Sequence, residues 1–150
     1  AGAVGDTWIY DGTAWTQLAT STAPPARYAA AMAYAGNGRI VLFGGLGASA
    51  HLDDTWELDG STWTQVATGA AAHPSTRRAH AMTWAPFAGN ERVILFSGVE
   101  TLLRADMWQY TSAAGWSQVT LAATRPSARY GATMAYSQRT NRIVLFGGTS

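Results

Sequence analysis

Cysteine is absent from the 150-residue chain. That removes disulfides, thiolate metal ligands and a cysteine nucleophile from consideration, and says nothing about compartment. Lysine is absent as well: all ten basic residues are arginine. Charge of either sign is scarce. Asp, Glu, Lys and Arg make up 13% of the chain, against the usual ~25%. Nine acidic residues leave a net charge of +1, which argues against a polybasic nucleic-acid binder. No apolar run approaches the ~18 residues of a membrane span. The start, AGAVGDTW, has neither a charged n-region nor an apolar h-region, so no secretory leader is read there. Helical periodicity is missing throughout.

What is present is apolar and aromatic. Hydrophobic residues make up 47%, with seven Trp, six Tyr and four Phe. That suffices for a packed core and argues against disorder. The length suits one domain. An internal repeat then organises everything else. Arg39-Ile40-Val41-Leu42-Phe43-Gly44-Gly45 returns as Arg92-Val93-Ile94-Leu95-Phe96-Ser97-Gly98 and as Arg142-Ile143-Val144-Leu145-Phe146-Gly147-Gly148. Upstream of each copy lies Pro-x-x-Arg, ending at Arg27, Arg77 and Arg129. A Met (Met32, Met82, Met134) and an aromatic (Tyr34, Trp84, Tyr136) follow each Arg at fixed distances. Asp6-Thr7-Trp8, Asp54-Thr55-Trp56 and Asp106-Met107-Trp108 form a further unit, with a second Trp downstream at Trp15, Trp63 and Trp116. The three Arg positions are 50 and then 52 residues apart, and 48 more lead around the chain ends. The chain is three repeats, cut inside one of them.

Each repeat reads as four short β-like runs separated by turn signals. In the first complete copy these are Arg27–Tyr34, Ile40–Phe43, Asp54–Leu58 and Thr62–Val66. Gly36-Asn37-Gly38 marks one hairpin and Asp59-Gly60 the other. The continuous apolar run Ile40–Phe43 reads as a strand buried on both faces and ended by Gly44-Gly45. The expected fold is all-β, built from four-stranded antiparallel sheets. Such a sheet has two apolar faces, and radial repetition buries both. Paired Trp side chains suit the wedge between sheets; small residues such as Ala29–Ala31 suit a crowded inner strand.

Together these motifs resemble the kelch repeat, in three copies over essentially the whole chain. Ser97 replaces the first Gly and Trp84 replaces Tyr in the second copy. The resemblance implies a β-propeller, commonly six-bladed. Propellers have about four to eight blades, so three are too few. The expected units are a blade at 27–68, a blade at 77–120 and a split blade, 129–150 plus 1–19. Two chains would then close a six-bladed ring as a homodimer, each split blade taking two strands from each chain. A designed half-propeller, a natural short protein and a fragment of a longer chain all fit such a cut.

Variable loops on a rigid scaffold are where binding usually resides. The linker between repeats and the loop after the apolar strand share one face. Matched to the positions kelch proteins use there, the candidate contact residues are Tyr28, Arg78, His80, Tyr130, His51, Glu100 and Arg104. Arg27, Arg77 and Arg129 are expected to pair with Asp6, Asp54 and Asp106 as scaffold, since Arg suits planar bidentate pairing. Trp15, Trp63 and Trp116, with Trp8, Trp56 and Trp108, are expected between blades. Arg39, Arg92 and Arg142 would cap the opposite, hairpin face.

Catalytic chemistry finds little support. His51, His73 and His80 lack ligand spacing. His80 alone invites a metal, if two copies met across a dimer axis. The carboxylates form no convincing acid–base pair, and no phosphate loop precedes a helix. The copper centre of galactose oxidase, which shares the blade motif, needs a cysteine-crosslinked tyrosine. The expected function is a self-assembling scaffold or binding module with no catalysis, cofactor or metal. Its partners would be a second copy and a protein, peptide or sugar, with no nucleic acid or membrane. Two alternatives stand beside it. One is a carbohydrate-binding or sugar-epimerase-like enzyme using Arg78, His80 and Thr83. The other is part of a longer kelch adaptor for acidic peptides.

Overall fold

A computed structural model describes residues 2–66, 72–87 and 89–150. Twelve strands are named in chain order. They are β1 (Trp8–Tyr10), β2 (Trp15–Gln17), β3 (Ala31–Gly36), β4 (Arg39–Leu46), β5 (His51–Asp59), β6 (Thr62–Val66), β7 (Ala81–Phe87), β8 (Asn90–Phe96), β9 (Met107–Thr111), β10 (Gly115–Val119), β11 (Thr133–Ser137) and β12 (Arg142–Phe146). Two complete antiparallel sheets run β3-β4-β5-β6 and β7-β8-β9-β10. Two-stranded hairpins flank them: β1-β2 before and β11-β12 after. The innermost strands β3, β7 and β11 are neighbours in that order. The architecture is therefore half a sheet, two sheets and half a sheet.

Local chemistry sets the hairpins. Asn37 and Gly38 both have positive φ, 51° and 77°. That backbone matches the right-handed twist of the flanking strands and favours Asn-Gly. The repeated Gly45, Gly98 and Gly148 have φ of 101°, 105° and 92°. A Cβ on any of them would lie within 3.1 Å of the carbonyl oxygen of Tyr28, Arg78 or Tyr130. Only glycine allows both the conformation and the approach.

The core lies between the two complete sheets. Ala35, Val41 and Phe43 of the first pack on Met82, Val93, Leu95, Trp108, Tyr110 and Trp116 of the second. Phe43 meets Trp116 edge-on at 5.2 Å between ring centroids, and Tyr110 lies 5.0 Å from Trp116. Each such side chain contributes about 1.5–3 kcal/mol on burial.

Three boundaries depart from the sequence reading. The first strand begins at Ala31, not Arg27, because the segment from Arg27 to Ala30 turns between sheets. Ala29 there has φ 54°. The second strand does not stop at Gly44-Gly45. It continues to Leu46 through a register shift between Phe43 and Gly45, which the glycines permit. The third strand starts at His51, three residues early, and pairs His51 with Leu46.

Candidate functional site

Where the sheets meet, one pattern of polar bonds is built twice. Arg27 donates Nη1 and Nη2 to the two carboxylate oxygens of Asp54, at 2.6 and 2.8 Å. Arg77 does the same to Asp106, at 2.7 and 2.7 Å. Each guanidinium also donates to the carbonyl that follows the apolar strand, Gly44 or Ser97, and to a carbonyl two residues back. Trp56 and Trp108 donate Nε1 to the same carboxylates. Burial alone would raise the pKa of Asp54 and Asp106. The hydrogen bonds from Arg and Trp, with the Arg charge, outweigh it and hold both below the usual carboxylate value.

The third copy is divided between the two ends. Arg129 makes the familiar bonds to the Ser127 and Gly147 carbonyls and adds the Ser127 hydroxyl, but it has no carboxylate among the described residues. Asp6 accepts from Trp8 Nε1 at 2.6 Å and has no guanidinium among the described residues. The remaining surfaces match this division. Phe43 is fully buried, while its counterpart Phe146 is 78% exposed. Trp116 is 7% exposed and its counterpart Trp15 is 65% exposed. Trp56, Trp63, Trp108 and Trp116 are buried between sheets, but Trp8 and Trp15 are open because no sheet among the described residues lies against their outer face.

Other inter-sheet bonds run between backbone groups. Arg77 N donates to Leu52 O, Arg129 N to Arg104 O and Arg27 N to Val4 O. Around the inner edge, Ala79 N donates to Ala29 O and Gly131 N to Ala79 O, each at 2.8 Å. Ala29, Ala79 and Gly131 all adopt left-handed backbone. Trp63 Nε1 donates to Thr7 Oγ1 and Trp116 Nε1 to Thr55 Oγ1, both at 2.9 Å. The Asp-Thr-Trp spacing held that last pair in plain view. The left-handed alanines could not be read from residue type.

The loop-face candidates are dispersed. Tyr28 and Tyr130 are exposed or nearly half-exposed, and Arg78 occupies their matching position in the second complete sheet. Arg78 Nε is buried without a hydrogen-bond partner among the described residues. Glu100 accepts from Thr76 and lies 3.7 Å from Arg104. His51 is not on a loop tip but in β5. His80 is buried, not an exposed contact residue. It is buried in the seam between the complete sheets, 5.6 Å from Phe43 ring to ring and against Gly44 and Gly98. Burial, then the nearby Arg77 charge, push its pKa down to about 3, so it stays neutral. Thr83 donates to the backbone carbonyl of Trp84. On the hairpin face Arg39 bridges Glu57 and Asp59, and Arg92 donates to Gln109.

The Arg–Asp–Trp cluster, the glycine that follows each apolar run and the four-stranded sheet recur at one spacing, and a family model covers that whole pattern. The KLHDC2/KLHL20/DRC7 Kelch-repeats domain matches residues 2–148. The chain belongs to the kelch-repeat family. No match was found among curated proteins. Its sheets are kelch-type blades, and kelch domains commonly bind proteins. For such a module the face that matters carries the inter-blade linkers and the loops after the apolar strands.

Proposed function

We propose that this chain is a self-assembling half of a six-bladed kelch propeller that serves as a non-catalytic protein-binding scaffold. One observation carries the reading: the open ends hold the two halves of a cluster that is complete in both intact blades. Arg129 is fully positioned except for its carboxylate, and Asp6 is held except for its guanidinium. A second copy supplies both, twice per ring. Strand edges agree, since β12 and β1 each pair on one side only. In the intact blade β4 pairs with β5, placing Val41 opposite Glu57. The same register between copies sets Val144 of one chain opposite Ile9 of the other. That pairing would cover Phe146 and Trp15 and remove both open edges.

The non-catalytic reading is supported by how the ionisable groups are used. Asp54 and Asp106 are held by Arg, and His80 is sealed between blades as a neutral ring. Among the described residues no three His, Asp or Glu side chains gather. The loop face retains Arg78, whose Nε is unpartnered, beside exposed tyrosines. This favours contact with a protein partner there.

Absolute mass across a dilution series tests the ring. A species of about 32 kDa, twice 15.9 kDa, supports it. A folded 15.9 kDa monomer at all concentrations overturns it and points to strands supplied by some other chain segment. Cysteine trapping tests the register in a chain that has no cysteine of its own. Ile9→Cys with Val144→Cys places two thiols directly opposite across antiparallel strands, about 4.5–5.5 Å apart at Cβ. The double variant is expected to form a covalent dimer on oxidation, and neither single variant should.

A further inference from the structure

Inside the chain, one seam between complete blades shows what a kelch interface needs here. The following blade contributes Trp116 and Tyr110. Trp116 Nε1 donates to Thr55, and the Tyr110 hydroxyl donates to Glu57 at 2.8 Å. Thr55 lies opposite Phe43 in the sheet register, and Glu57 lies opposite Val41. The seam between β1-β2 and the first complete blade keeps the same indole bond, Trp63 to Thr7.

The second complete blade breaks this rule. Opposite Phe96 stands Met107, and opposite Ile94 stands Gln109. Gln109 is already engaged by Arg92 and Ser117. The tryptophan that would complete this seam is Trp15, for which the described residues hold no blade. At the preceding residue, Asp106, the surface opens into a groove lined also by Leu103, Arg104, Gln118, Leu121 and Arg125.

We propose that Met107 is the seat of Trp15 from a second copy, so that the joint between chains replaces a Trp–Thr hydrogen bond with an apolar indole–thioether contact. This rests on the two-chain ring. It adds that the joint is chemically distinct from the seams within a chain. Methionine sulfur packs well against aromatic rings but is a weak acceptor. The indole N–H therefore gains nothing from it, and the joint is held by packing and by the Arg129–Asp6 pair. The ring would open at its joints before its internal seams.

A double-mutant cycle tests the seat. Dimer dissociation is measured by sedimentation for the parent, Trp15→Phe, Met107→Thr and the double variant, in enough urea to make it measurable. In the parent, Trp15→Phe trims the packing on Met107 but breaks no hydrogen bond, so its cost sets the baseline of the cycle. In the Met107→Thr background the same change should cost about tenfold more than in the parent over the two joints, because there it also removes a hydrogen bond to the threonine hydroxyl. Equal costs in both backgrounds would overturn the seat while leaving the ring intact. A parent monomeric at every concentration would overturn the ring, and the seat with it. Trp116→Phe serves as control: it should lower thermal stability without changing the cycle.

Discussion

Replacing Asp106 with Asn tests the central cluster. Arg77 is fully buried, and Asp106 is the anion paired with it. The amide keeps the size of the carboxylate but removes its charge, leaving a buried guanidinium uncompensated. Breaking a buried pair from one side costs about 3–5 kcal/mol. Asp106 retains some solvent contact, with its side chain 23% exposed, so the lower figure of about 3 kcal/mol is expected. Against a total stability of about 5–15 kcal/mol this is a large loss. Thermal midpoint should fall by roughly 6–12 °C for a chain of this length. Urea melts at fixed protein concentration measure it, since association would shift the midpoint. The acid limb supplies a second check. The folded pKa of Asp106 is depressed, so its contribution is present above the unfolded value of about 3.9 and is lost as pH falls through the folded value. The variant should lack that part of the acid limb. A loss below about 0.5 kcal/mol would refute the view that the cluster holds the blade together.

His80 provides an independent pH test. Its folded pKa is about 3, below an unfolded value of about 6.5. Between those values the unfolded chain binds a proton that the folded chain refuses, so stability falls as pH falls, by up to about 1.4 kcal/mol per unit. His80→Ala, the residue found at the matching Ala30 and Ala132, should flatten stability between pH 6.5 and 4 in urea melts; an unchanged slope would refute burial of a neutral ring. Ala79→Gly should stabilise by about 0.5–1 kcal/mol, because glycine tolerates the left-handed conformation that Ala79 adopts, as Gly131 already does. Thermal melts of that variant would count against the assigned backbone if the midpoint fell.

The blade was legible because its determinants are residue types at fixed spacings. Asn37-Gly38 fixes a hairpin, Ile40–Phe43 reads as a doubly buried strand, and Arg27 and Asp54 recur in step with it. What was missed depends on backbone geometry. Gly44-Gly45 looked like a strand end and is instead a shift within a strand, since glycine permits both. His51 looked like a loop residue because no local signal separates an extended loop from the start of β5. His80 looked like an accessible contact residue because strand alternation does not say which neighbouring blade a side chain meets. Its burial depends on Gly44 of another blade leaving room for it.

In every sheet each strand pairs with its neighbour in sequence, and this bears on how the chain folds. Contacts so local in the chain avoid the cost of closing long loops. Isolated hairpins close in about 1–10 μs, so the two intact blades can fold in steps independent of protein concentration. A blade divided between two chains cannot. Its completion is a second-order event, slower as the solution is diluted. Refolding of the proposed two-chain ring would therefore separate into a concentration-independent phase that forms blades and a concentration-dependent phase that joins them. During the interval between these phases, the bare edges of β1 and β12 are open to any extended strand they meet.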